Sequence, residues 1–131
     1  TMQAIIDRLW CQTPIGGIAR YEGDSYHWDP TLKENREKIP GNPWFICTLW
    51  VAQYYIARAQ TLEALHQALP LLEWAQKRAL PSGVLAEQIH PLTGHPLSVS
   101  PLTWSHAMVV ATVQEYREKY ELLQREARPQ G

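Results

Sequence analysis

Phenylalanine is nearly absent from this 131-residue chain, with one residue against six tryptophans and six tyrosines. Charge of one sign is also missing, since twelve Lys and Arg face thirteen Asp and Glu for a net charge of −1. That balance gives no basic face for nucleic acid or for an anionic membrane surface. Cysteine is reduced to Cys11 and Cys47, whose number and spacing define neither a disulfide framework nor a metal site. Cys47 lies inside an apolar run and reads as a buried free thiol. The longest apolar run is interrupted at Gln53 and ends at Arg58, too short to span a bilayer. Asp7 and Arg8 lie in the first stretch, so it does not read as a signal peptide, and a soluble, cytoplasmic protein is the expectation. The five histidines have no ligand spacing, and no cofactor fingerprint, phosphate-binding glycine loop or Ser-His-Asp order appears, so neither metal nor cofactor is expected.

What remains is a globular chain, 45% hydrophobic and 19% charged, of single-domain size. Ile5, Ile6 and Leu9 predict a short helix within Met2–Cys11. Residues 12–40 carry three prolines and three glycines and read as a long loop, a length that often serves function. Asn42 with Pro43 predicts an N-cap and first turn for a helix from Trp44 to Ala59 that is apolar on nearly every side, and therefore surrounded by protein. Thr61 predicts a cap for the next helix, and Pro70 either restarts or kinks it before an amphipathic stretch through Ala79. Thr103 predicts a cap for a long helix to about Gln124, apolar in its first half, with a tail from Arg125 to Gly131 that frays. Alternation typical of strands is absent except near Leu85–Ile89. The fold class is all-α, with an inner and an outer layer of helices.

Three stretches carry chemistry. In "GGIARYEGDSYHW", Arg20 offers a rigid fork of donors that Asp24 is placed to orient, beside Tyr21, Tyr26 and Trp28; an ordinary ion pair pinning a loop is the plainer alternative. In "GNPWF", Trp44 stands at the mouth of a helix, either covering the core or presenting its face to a pocket. In "GVLAEQIHPLTGHPLSVSPLTWSHA", Glu87 is the single carboxylate, flanked by apolar residues. If the loop packs, Glu87 is partly desolvated and needs a partner such as Gln88, Ser98 or Ser100, and a carboxylate so held can serve as a general base; a surface glutamate is the alternative.

Taken in order, "ARYEGDSYHW", "GNPWFICTLW" and the Gly83–Ala107 stretch resemble the C-terminal part of the catalytic domain of the glucoamylase-like glycoside hydrolases, family 15. The resemblance covers roughly Gly16–Tyr116 and assigns the whole of residues 1–131 to that segment. It implies part of an (α/α)6 barrel, with Trp44–Ala59 as an inner helix and Thr61–Ala79 as an outer one. It implies inverting hydrolysis at the non-reducing ends of α-glucans, which needs an acid and a base with a water between sugar and base. By resemblance Glu87 is the base, Ser98 its hydrogen-bonding partner and Gln88 a supporting neighbour. Arg20, Tyr21, Trp44 and Trp104 are sugar-binding, and Asp24 holds the arginine. Asp29–Lys38 reads as an insertion relative to the shorter fungal pattern, a length similar to that of prokaryotic members.

The family's acid belongs to an earlier Trp-Glu motif that does not occur before Gly16. The expectation is therefore a base-bearing piece, inactive alone, whose partners are an α-glucan or glucoside and either the rest of the barrel or another copy. The large subunits of phosphorylase kinase resemble the same family, which leaves a non-catalytic sugar-binding or regulatory module as the alternative. An unrelated helical interaction domain would put Arg20 and Glu87 on opposite faces.

Overall fold

Eight apolar or small residues of the run after Trp44 have their side chains removed from water, and they build the central helix of the molecule. In the computed structural model, which describes residues 1–128, α1 covers Met2–Leu9, α2 Phe45–Arg58, α3 Leu62–Leu65, α4 Leu69–Arg78 and α5 Thr103–Glu126. A two-residue pair, β1 (Gln88–Ile89) and β2 (Pro96–Leu97), runs antiparallel with Gln88 opposite Leu97. A 3-10 helix of two turns occupies Pro30–Asn35, and a single 3-10 turn occupies His66–Ala68. The first of these gives the expected loop of residues 12–40 a structure of its own, with the Asp29 side chain accepting from the Thr31 amide at 2.9 Å.

The helix starts differ from the sequence expectation at two places. α2 is capped by Trp44 in extended conformation and not by Asn42, because the Asn42 side chain is buried and donates to loop carbonyls instead. The Phe45 amide is satisfied by the Glu87 carbonyl at 3.3 Å, and the Thr48 hydroxyl donates back to the Trp44 carbonyl at 2.8 Å. Likewise α5 is capped by Leu102, whose amide donates to the Leu85 carbonyl at 2.9 Å, and Thr103 is its first helical residue. Thr61 caps α3 as expected, accepting from the Ala64 amide at 3.1 Å, and Pro70 stands in the first turn of a new helix, α4, where its missing N–H costs nothing.

α2 packs chiefly against α5 and α4, which also touch each other, with the His66–Ala68 turn, α1 and α3 completing its surroundings. One apolar cluster joins Ile46, Val51, Ile56, Leu65 and Leu123, with Ile6 and Leu9 of α1 laid on it. A second joins Phe45, Leu49, Trp74, Leu85 and Ile89, and in it the Phe45 and Trp74 rings meet at 5.2 Å. Trp74 also donates from its indole nitrogen to the Ile15 carbonyl at 2.8 Å, which fixes the early loop over α4. The apolar surroundings expected for α2 hold along its first half; Trp50 is 45% exposed, Gln53, Tyr54 and Tyr55 are half-buried, and Ala57 and Arg58 at its end are exposed. The apolar first half of α5 is less covered: Trp104, Val110 and Val113 are about half exposed. α5 runs to Glu126, further than the fraying tail allowed, and the last three positions of that tail lie outside the described residues. Among the described residues no helix is long and apolar enough to cross a membrane.

Candidate functional site

Pro43 and Trp44, immediately before α2, are the middle of three chain segments laid side by side. Ala19 pairs with Pro43 on one flank, and Gln88 pairs with Trp44 on the other, both antiparallel. The Trp44 amide donates to the Ile18 carbonyl at 2.9 Å and the Ile89 amide to the Pro43 carbonyl at 3.1 Å. Each lateral step in such pairing is about 5 Å, so the two outer segments run about 10 Å apart. Arg20 follows the segment on one side, and Glu87 precedes the segment on the other. The two stretches singled out in the sequence are thus joined through the third.

Arg20 is held as expected. Its Nε donates to Asp24 Oδ2 at 3.0 Å and its Nη2 to Asp24 Oδ1 at 3.1 Å, a bidentate fork. Asp24 is 1% exposed, and its Oδ1 also accepts from the Tyr26 amide at 3.0 Å. The hydrogen bond to Asp24 raises the arginine's pKa further above its ordinary value, with desolvation opposing it. The guanidinium lies 4.5 Å from the Trp44 ring, 5.0 Å from Tyr21 and 5.4 Å from Tyr26. Trp44 is therefore a buried floor beneath the arginine and not an open stacking face. Tyr21 is half exposed and borders the same fork.

Glu87 is half-buried, and its side-chain partner is Gln88, whose Nε2 donates to Glu87 Oε1 at 3.2 Å. The expected Ser98 contact is not formed. Ser98 sits at φ +63° with its hydroxyl buried and without a hydrogen-bond partner, while the neighbouring Val99 carbonyl accepts from the Glu87 amide at 2.9 Å. The chain around Ser98 thus supports the backbone of Glu87 rather than its carboxylate. Trp104 is tied to this loop through its neighbours: Ser105 Oγ donates to the Ala86 carbonyl at 2.7 Å, and His106 Nε2 accepts from the Leu85 amide at 3.0 Å. Its ring, half exposed, meets Trp50 at 6.1 Å and is not part of the Arg20 cluster.

Three contributors escaped the sequence reading. Arg36 donates from Nη1 to the Asp24 carbonyl at 2.8 Å and to the Pro40 carbonyl at 3.1 Å while lying 3.7 Å over Trp28, so it ties the arginine loop to the turn before α2. Asn42 joins the Tyr26 and His27 carbonyls to Gln88. His90 accepts from the Leu92 and Thr93 amides through Nδ1, each at 3.2 Å, which leaves the proton on Nε2, 3.2 Å from Asp29 Oδ2. The only forewarning was the density of polar residues in a glycine-punctuated loop; the partners that join separate segments lie 12 to 61 residues away.

Cys11 and Cys47 are free and buried, and burial pushes both thiols up to about 12, so neither is a nucleophile near neutral pH. Among the described residues no three His, Cys, Asp or Glu side chains are grouped to hold a metal ion. The chemistry on offer is a half-buried carboxylate with one amide donor on one outer segment, and a fixed guanidinium with aromatic neighbours on the other. That set suits a neutral, hydroxyl-rich ligand and a proton transfer from water.

Comparison with known proteins places the chain in a family. The family model for glycosyl hydrolases family 15 matches residues 1–114. An uncharacterized glycosyl hydrolase of Methanocaldococcus jannaschii is 34% identical over 110 residues, covering 77% of this chain and 16% of the relative. A bacterial glucoamylase solved in complex with acarbose superimposes with a TM-score of 0.70 at 28% identity, covering 91% of this chain and 17% of that one. The chain therefore spans about a sixth of the length of either protein. Its helices are those of part of an (α/α)6 barrel. With the family model running through the Arg20 loop, the α2 entry and the Glu87 loop alike, the chain belongs to glycosyl hydrolases family 15.

Proposed function

We propose that this chain forms the base-bearing side of an inverting α-glucosidase site acting on the non-reducing ends of α-glucans. The observation that carries the reading is the double pairing of Pro43–Trp44, with the Arg20 segment on one flank and the Glu87 segment on the other. In this reading Glu87 takes the proton from a water that attacks the anomeric carbon. Arg20, fixed by Asp24, donates to sugar hydroxyls, Tyr21 borders the same subsite, and Trp44 supports the guanidinium from below. Trp104 lines the outer part of the pocket. Ser98 keeps a supporting role through the backbone of its loop. The glucoamylase neighbour was solved with acarbose, which favours an oligosaccharide as the ligand class.

An inverting mechanism needs a second carboxyl group on the opposite face of the sugar. That acid is assigned to the rest of the catalytic domain, so the segment alone is inactive. General acid–base catalysis by one positioned group is worth about 10²–10⁴-fold. In a complete catalytic domain carrying this segment, Glu87→Gln lowers kcat on maltose or isomaltose by at least a hundredfold with unchanged thermal stability. Proton NMR of the wild-type reaction shows the β-anomer forming first. Normal turnover by Glu87→Gln, or initial release of the α-anomer, sinks the proposal.

A further inference from the structure

The Asn42 side chain is the most heavily used donor near Glu87, and capping α2 is not its task. It is 1% exposed, and its Nδ2 lies 3.3 Å from the Tyr26 carbonyl, 3.0 Å from the His27 carbonyl and 2.9 Å from Gln88 Oε1. Two of these three acceptors are backbone carbonyls, which cannot donate, so the amide must turn its nitrogen towards them. That choice settles the next group. Facing an N–H, the fully buried Gln88 presents its oxygen to Asn42 and its nitrogen to Glu87, where Nε2 lies 3.2 Å from Oε1. The polarity of the whole relay is dictated by the carbonyls of the arginine loop. Asn42 Oδ1 is left buried without a partner, a cost that a residue selected for packing or capping has no reason to carry.

We propose that Asn42 is a positioning residue for Glu87: it fixes the amide orientation of Gln88, so that the carboxylate always meets a donor, and couples that orientation to the sugar-binding loop. The inference rests on the reading of Glu87 as the base. If Gln88 rotated by half a turn, its oxygen would face the carboxylate, and the base would be repelled from its position. A water poised for attack tolerates little such movement.

The test uses the complete catalytic domain with maltose as substrate. Gln88→Met keeps the side-chain length without polar atoms, and it leaves Asn42 its two backbone acceptors. Asn42→Ala removes the donor. Each single variant lowers kcat about tenfold, the loss expected for one hydrogen bond to a half-exposed carboxylate, with KM within about twofold of wild type. The double variant is no slower than the slower single, because both act through one contact. Losses that multiply in the double variant overturn the proposal, as does an Asn42→Ala protein that raises KM while keeping kcat. Should Asn42→Ala fail to fold, Gln88→Met decides alone, and an unchanged kcat refutes the relay. Glu87→Gln keeps the two readings apart. If it is fully active, the base assignment falls; if it is inactive while Gln88→Met and Asn42→Ala turn over normally, only the relay falls.

Discussion

Asp24→Asn isolates the orienting role of the carboxylate beneath Arg20. The substitution keeps the volume and retains one oxygen for the Tyr26 amide, whose bond to Oδ1 is 3.0 Å. What it removes is the second acceptor and the charge. The fork, now bonded at 3.0 and 3.1 Å, keeps at most one bond and meets an amide N–H with the other arm. A hydrogen bond to a charged group contributes about 1.5–3 kcal/mol net. The Arg20 side chain is 38% exposed, so solvent screens part of that, and the low end applies. About 1.5 kcal/mol corresponds to about a tenfold loss in kcat/KM on maltose, read in a complete catalytic domain. Because Arg20 is proposed to bind sugar hydroxyls and not to take part in the proton transfer, most of the loss is expected in KM. The control is Arg20→Ala, in whose background Asp24→Asn should change nothing further. If Asp24→Asn keeps kcat/KM within twofold while Arg20→Ala loses more than tenfold, Asp24 is an ordinary buried partner and the orienting argument is wrong.

The residues that sequence made legible are those whose role is local or compositional. The run from Trp44 to Ala59 announced a central helix because apolar side chains repeat without a polar face, and the solitary Glu87 stood out against its neighbours. Asp24 lies four residues from Arg20, within reach of a pattern reading. Ser98, Asn42 and Thr103 were misjudged for one physical reason. A short polar side chain can cap a helix, bond a neighbour or bridge two loops with equal chemistry, and the choice is made by backbone path. At Ser98 the backbone takes a positive φ and the hydroxyl is buried without a partner. At Asn42 the pairing of Pro43 with Ala19 delays the helix and aims the amide at Gln88, 46 residues away. Contacts such as Arg36 on the Asp24 carbonyl and Lys119 on the Ala57 and Ala59 carbonyls depend on acceptors that every residue carries, so residue type gives no hint of them. The half-exposed apolar stripe on α5 teaches a related lesson: periodicity tells which face is apolar but not what covers it.

Two further perturbations test the frame that holds the site. Gly17→Ala should cost at least 3 kcal/mol by urea unfolding, because φ is +94° and an added Cβ would lie 2.5 Å from the Trp74 ring and 2.7 Å from Pro43 Cβ, neither of which has room to move; an unchanged midpoint would show the Trp74 anchor to be loose. The thiols give a pH test with a definite sign. Burial raises Cys11 and Cys47 from 9.0 to about 12, so below pH 9 both folded and unfolded chains keep their protons and the thiols leave stability independent of pH. Between pH 9 and 12 the unfolded chain releases protons that the folded chain retains, and stability falls by about 1.4 kcal/mol per pH unit per thiol. Cys47→Ala should remove one thiol's share of that alkaline slope, measured by urea unfolding from pH 8 to 10.5 against the fall that the burial-raised Tyr116 hydroxyl leaves in both proteins, and should leave alkylation of the folded protein by iodoacetamide as slow as before. Rapid alkylation of the native protein at pH 8 would mean that the entrance of α2, on which the Arg20 and Glu87 segments both rest, opens far more readily than its packing implies.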